Sequence, residues 1–435
     1  MSNSLVNSNI REQVYKKTFN IPFFFMIGYL VTEYSKPQVM YSFLYDLPLA
    51  ELVVTAAIVS HFFQRAGNGL FFETKSIQNI LILIFCGTVI LSYIGAQTSG
   101  QSFEPVLTVL KLVVIYSLII NIVNTPKRIE IFIWVLLLLN LKLAQHKLRV
   151  FLGELASGIP LNILTQRGTN IGIGFFANDG DFGVAMCVVV PFAFYLISCY
   201  AKKSVKLLLI GMGACFVAAI YVTGTRGAAL GLAAMVIMAM FKSRRKSVSL
   251  GVTALFAIGL LIFASNAYKD RLRSGIEYER DPTAMIRINL WKAGIAMFED
   301  YPITGVGIGN FGTVYKNQYY TGLGEGDRMY TSWAPHSIWI EALSELGLSG
   351  FIVLLLIILF IFRANKDTRN LALRIGSQGL FFKNMANSID VSLIGYLVSG
   401  SFLTVLYYPH LWMILSLSVA LKHITTETDE NGVNK

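Results

Sequence analysis

The sequence predicts an all-α integral membrane protein of about twelve transmembrane helices with one large polar loop. Three observations carry this reading. Of 435 residues, 54% are hydrophobic and only 14% charged, with mean hydropathy +0.59, whereas soluble domains carry about 25% charged residues. The apolar residues gather in runs close to the ~20 that span a bilayer. The basic residues fall in alternate connections between those runs.

The predicted spans are 19–32, 42–63, 77–96, 103–123, 129–141, 182–200, 205–222, 226–241, 248–264, 348–362, 389–406 and 409–424. The first, fifth and eighth are short, and the last pair leaves little room for a turn. Lys127 and Arg128, Lys202 with Lys203 and Lys206, Lys242 to Lys246, and Arg363 to Arg374 mark inward loops, which with Arg11, Lys16 and Lys17 places both termini in the cytoplasm. Nine spans therefore fill 1–264. A periplasmic loop with short helices follows over 265–347, then three spans over 348–424 and a polar tail at 425–435, expected to be disordered. Within the large loop, Ile286, Leu290, Ala293 and Met297 recur with a helical period over Thr283 to Phe298, and Pro302 ends that run.

Several function classes drop out on composition. The net charge of +11 is spread over membrane loops rather than one soluble face, which argues against nucleic acid. Cys86, Cys187, Cys199 and Cys215 all lie in apolar runs without a C-x2-C pair, so they read as buried thiols. The polar first 18 residues carry no short apolar core with a small-residue cleavage site, and the first span reads as the insertion signal. Lys111 falls inside the fourth span with no acidic partner in view. It reads as a ligand for a lipid phosphate or as a residue tilted into a water-filled cleft.

The stretch from Arg287 to Gly350 concentrates the polar chemistry. It holds Arg287-Ile-Asn-Leu-Trp291, then Pro302 to Phe311 with Gly305, Gly307, Gly309 and Asn310, then His336-Ser337, Glu341, Glu345, Gly347 and Gly350. Upstream, Thr223-Gly-Thr-Arg226-Gly227 opens the eighth span. A polar segment of this length between apolar runs is expensive to order unless it serves a function. The glycine series lacks the spacing and the preceding strand of a dinucleotide site, and reads as a tight turn that lets backbone approach the bundle. Exposed N–H groups near a phosphate are the minor reading. Arg226 either snorkels to the interface or, at a helix start, grips an anion. Arg287 either packs its stem on a neighbouring helix or faces the same anion, and Arg280 shares its face. No second histidine or cysteine stands at ligand spacing from His336, which argues against zinc. His61, His146, His410 and His423 read as structural.

In order and spacing, R-x3-W, P-x2-G-x-G-x-G-x-F, H-S-x3-E-x-L-x-E-x-G-x2-G and the arginine–glycine pair at 226–227 resemble the O-antigen ligase and polymerase superfamily over roughly residues 165–350. Arg167 resembles that family's segment before the sixth span, where Asn178-Asp179 stands in place of the usual proline–asparagine pair. The resemblance implies a GT-C-like bundle in the inner membrane with its active site on the periplasmic side. It implies a metal-independent, inverting transfer without cofactor. The donor would be a glycan on undecaprenyl pyrophosphate and the acceptor a glycan hydroxyl, on lipid A-core for a ligase or on a growing chain for a polymerase. On this reading His336 is the base and Arg226 and Arg287 stabilise the leaving pyrophosphate. Arg167, Arg280, Trp291, Asn310 and Glu341 bind substrate, and membrane lipid lies around the donor's tail. Glu341 and Glu345 either line that cavity or pair with nearby bases. Transfer to protein hydroxyls and transport are the remaining alternatives. Transport sits poorly with the absence of inverted repeats in the hydropathy pattern.

Overall fold

The computed structural model describes residues 20–66, 74–98, 102–160, 163–164, 176, 178–243, 282–320, 333–376 and 379–433. The described elements are helical, with no strand among them. They are α1 (Ile21–Ser35), α2 (Leu49–Ala66), α3 (Ile77–Ile94), α4 (Glu104–Ile122), α5 (Pro126–Ala156), α6 (Asp179–Leu196), α7 (Lys203–Val222), α8 (Arg226–Lys242), α9 (Pro282–Asp300), α10 (Ile338–Ala372), α11 (Gly379–Gly400) and α12 (Pro409–Val433). Six of them, α3 to α7 and α10, are long and apolar enough to cross a membrane, and the other described helices are shorter or more polar. The segment 248–264 lies outside the described residues.

Local chemistry sets the helix starts. Asn20, Ser76, Thr125 and Asn178 cap α1, α3, α5 and α6, each accepting a backbone N–H with its side-chain oxygen. Proline occupies the first turn of α1, α4 and α5, where a missing N–H costs nothing. α11 is the centre of the bundle and packs against α6, α8 and α10. Small residues let α8 come close: a Cβ on Gly231 would stand 2.0 Å from Ser399 Oγ and 2.8 Å from the Gly395 carbonyl oxygen. α10 packs in turn on α3, α9 and α12.

Four boundaries differ from the hydropathy reading. The short fifth span is the long helix α5, because Asn140, Leu143, Ala144, Lys147 and Phe151 continue one buried face while Lys142 and Arg149 on the other face depress the average. Lys147 is therefore fully buried and pairs with Asp179 instead of lying in a loop. The tenth span is the later part of α10, a helix that starts at Ile338 and is interrupted at Gly347 (φ 64°, ψ −164°). α11 ends at Gly400, so 401–408 is a connecting loop. The polar tail is helical through Val433, held by buried Ile424 and Thr425. Lys111 also has an acidic neighbour, Glu104 Oε1 at 3.9 Å, with both side chains well exposed.

The expected helix in the large loop is α9. It buries Leu290, Ala293 and Met297 with Val306, Phe311, Val314 and Tyr315 in a separate small core, and Ile286 packs at its edge. The segment 265–281 and residues 321–332 lie outside the described residues.

Candidate active site

The glycine series is a strap across the break in α10. At Gly347 the helix loses its own donors, and carbonyls one turn earlier need others. The strap supplies them: Val306 N–H donates to Ser344 O (2.8 Å) and Gly307 N–H to Glu345 O (3.3 Å), while Leu348 N–H donates back to Pro302 O (2.8 Å). Ser92 Oγ, at the end of α3, also donates to Glu345 O (2.6 Å). Close approach demands glycine. At Gly305 (φ +67°) a Cβ would sit 2.4 Å from the Glu345 carbonyl carbon, and at Gly347 (φ +64°) 2.5 Å from the Ile303 oxygen. The strap's N–H groups at 305, 306, 307, 309 and 310 are thus spent inside the protein.

Two buried carboxylates on the first turns of α10 brace the loops on either side. Glu345 Oε2 accepts from Gly309 N–H (2.9 Å) and Tyr407 Oη (3.2 Å). Glu341 Oε2 accepts from Leu406 N–H (3.0 Å). Neither has an arginine or lysine partner among the described residues; both are 3–4% exposed and satisfied by backbone and tyrosine donors. Asn310 is buried in the same way, accepting from Thr98 Oγ1 (2.7 Å) and donating to Val306 O (3.0 Å).

His336 lies just before α10, one residue ahead of the N-cap Ser337, in a left-handed conformation (φ 47°). It therefore precedes the first helical turn of α10. Such a backbone costs about 1–3 kcal/mol for a non-glycine residue and persists only when its surroundings fix it. Here they do. His336 N–H donates to Thr404 Oγ1 (3.0 Å), and Trp291 Nε1 donates to the Pro335 carbonyl (3.0 Å). Trp291 and Arg287 are one turn apart on α9, on one face of the helix. Burial first, and the Arg287 guanidinium second, hold the imidazole pKa down at about 4. The neutral ring is thus the form at physiological pH.

The loop 401–408 gathers these parts. Phe402 packs on Trp291 (ring centroids 6.2 Å) and comes within 3.4 Å of a Cβ built on Gly227, beside Arg226 at the first turn of α8. Leu403 meets the start of α6 at Gly180, and Tyr408 Oη donates to Asp181 (2.5 Å), whose N–H Asn178 caps. The structure therefore brings Arg226, Arg287, Trp291 and His336 around one loop. Glu341 and Asn310 lie behind that surface with their side chains already engaged. Arg167 and Arg280 lie outside the described residues. Sequence reasoning missed Thr404, Tyr407 and Tyr408. Their signal was Tyr407-Tyr408 directly ahead of Pro409, hidden because the predicted eleventh span ran through Thr404 to Leu406 and left only 407–408 between two spans.

An all-helical bundle with six membrane-length apolar helices and a polar cluster at one end defines a multi-pass membrane protein. Residues 211–355, which contain Arg226, Arg287, Trp291, His336 and both buried glutamates, match the family described as O-antigen ligase, which supports membership of that superfamily. The match supports an enzyme of the glycan ligase and polymerase type. Residues 9–144 match a second family, described as one of unknown function. No curated protein matches the chain.

Proposed function

We propose that the protein transfers a glycan from undecaprenyl pyrophosphate to an acceptor hydroxyl, as an O-antigen ligase, on the periplasmic face of the inner membrane, with lipid A-core as acceptor. The observation that supports this best is His336, held in a costly backbone conformation and kept neutral beside Arg287. A neutral imidazole accepts the acceptor's hydroxyl proton. The oxygen then bonds to the anomeric carbon from the face opposite the donor phosphate. The carbon–oxygen bond to pyrophosphate breaks, its electron pair stays on the pyrophosphate, and the anomeric centre inverts. Arg226 and Arg287 meet the charge that develops there without a metal.

An imidazole with a pKa near 4 is a weak acceptor in the free protein. A pyrophosphate against Arg287 offsets the guanidinium charge and excludes it as a repulsive neighbour, so donor binding raises the basicity of His336 as the reaction needs it.

Purified protein supplied with a lipid-linked glycan and lipid A-core tests the reading. The expected product is a single addition to lipid A-core. Arg226→Lys and Arg287→Lys lose most of the rate, because the two-pronged grip is lost while the charge stays. A ladder that grows without lipid A-core makes the protein a polymerase, and full activity in both lysine variants removes the pyrophosphate role.

A further inference from the structure

The other end of the bundle carries a second polar site. α4 measures the separation: Pro105 in its first turn touches the strap at Gly309, and Ile122 in its last turn borders a cavity of about 360 Å³. One helix length, ~27 Å, lies between them. The cavity is lined by Asn20, His61, Arg65, Asn124, Thr125 and Arg128 among others.

Three features give this cavity a positive interior. Two helices start at its wall, since Asn20 caps α1 and Thr125 caps α5, and both turn the positive end of their dipole toward it. Arg128 is 6% exposed and held rigidly: its guanidinium lies 5.5 Å from the Phe23 ring centre, and Nη1 donates to Ile122 O (3.0 Å) and Asn124 Oδ1 (2.8 Å). The bond to Ile122 O also covers a C-terminal carbonyl of α4, which would otherwise present negative charge. Arg65, from the last turn of α2, brings a second guanidinium to the same wall. Among the described lining residues the one carboxylate is Glu427, and it lies 3.3 Å from His423 Nε2.

We propose that this cavity is an anion site that takes a phosphate ester, held by Arg65 and Arg128 between the starts of α1 and α5. Phosphate suits it because several oxygens can meet two guanidinium groups and the helix starts together. The volume leaves room for a small substituent on the ester. Its lining, apart from Glu427, lies within the segment that matches the family of unknown function, away from the proposed transfer site, and the inference does not depend on the ligase reading.

Two sources present such a phosphate, a lipid headgroup at this end of the bundle and a soluble ester, and the test separates them. The full-length protein is placed in nanodiscs of phosphatidylcholine alone or with phosphatidylglycerol, and thermal unfolding is followed with and without inorganic phosphate. Wild type is stabilised in at least one arm; the phosphatidylglycerol arm identifies a headgroup and the inorganic phosphate arm a soluble ligand. Arg65→Gln, which leaves the rigidly bonded Arg128 in place, weakens the apparent affinity about tenfold, the loss of one charge-assisted contact. Glu427→Gln, which removes the opposing charge at the rim, strengthens it. No stabilisation of wild type in any arm, or equal affinity in wild type, Arg65→Gln and Glu427→Gln, overturns the proposal.

Discussion

Two charged clusters in this bundle show opposite ways of keeping ions out of water. On α11, Asp390 is 1% exposed and fully matched: Oδ2 accepts from Lys242 Nζ (2.6 Å) and Arg369 Nη1 (2.6 Å), and Oδ1 accepts from Asn365 Nδ2 (2.7 Å). At the head of α10, His336 is instead kept neutral by burial and by the nearby Arg287 guanidinium, and sits in a left-handed backbone. The first cluster ties α8, α10 and α11 together through opposite charges. The second holds a strained backbone beside a cation that disfavours protonation of its imidazole. Matched ions serve architecture; groups held against their preference mark a place where a charged ligand is expected.

Breaking the matched cluster should produce the largest change in stability. Asp390→Ala leaves two partly buried cations without their carboxylate, at a cost of about 3 kcal/mol, read as a lower midpoint of thermal unfolding in detergent. The transfer rate per folded molecule stays near that of wild type. Gly305→Ala comes next, because its Cβ would press on the Glu345 backbone at a positive φ. A loss of about 1–3 kcal/mol is expected, with transfer falling as the strap loosens the head of α10. A normal midpoint in this variant would mean that the strap does not hold the break.

The site cluster gives smaller, more specific effects. Trp291→Phe keeps the ring against Phe402 and removes the bond to the Pro335 carbonyl. A loss of about 1 kcal/mol, roughly fivefold in rate, is expected with little change in unfolding. Arg287→Gln moves the pH dependence. Transfer needs neutral His336, whose pKa is lowered to about 4, so the acid limb of kcat/KM lies near pH 4 in wild type. Without the guanidinium the limb shifts upward but stays below the ordinary histidine value of about 6.5, because burial is the larger cause. Stability follows the same sign. A histidine whose folded pKa is depressed contributes fully above the unfolded pKa, and that contribution is lost as pH falls through the folded one. An acid limb that does not move in Arg287→Gln would separate the two residues.

Much of this contrast was legible in the sequence, and the rest was hidden for physical reasons. The 3.6-residue period gave α9 with its buried face, and the order of arginine, tryptophan and histidine pointed to residues that the fold brings around one loop. Hydropathy averaging failed where helices carry one polar face, as in the extension of α5 around Lys147, and where a loop is itself apolar, as at 401–408. The roles of Glu341 and Glu345 were illegible because their partners are backbone N–H groups, which every residue type offers alike. Thr404, far from His336 in the chain, could be matched to it only once the loop was in place.

The central claim is that His336 is the proton acceptor of a transfer site and not a structural residue. The most direct measurement compares His336→Ala with wild type for donor binding, thermal unfolding and single-turnover transfer in the same preparation. The account predicts unchanged donor binding, little change in the unfolding midpoint because the left-handed backbone costs alanine as much as histidine, and a rate lower by about 10²–10⁴-fold. Transfer at a near wild-type rate, or lost activity that tracks lost folding, would contradict it.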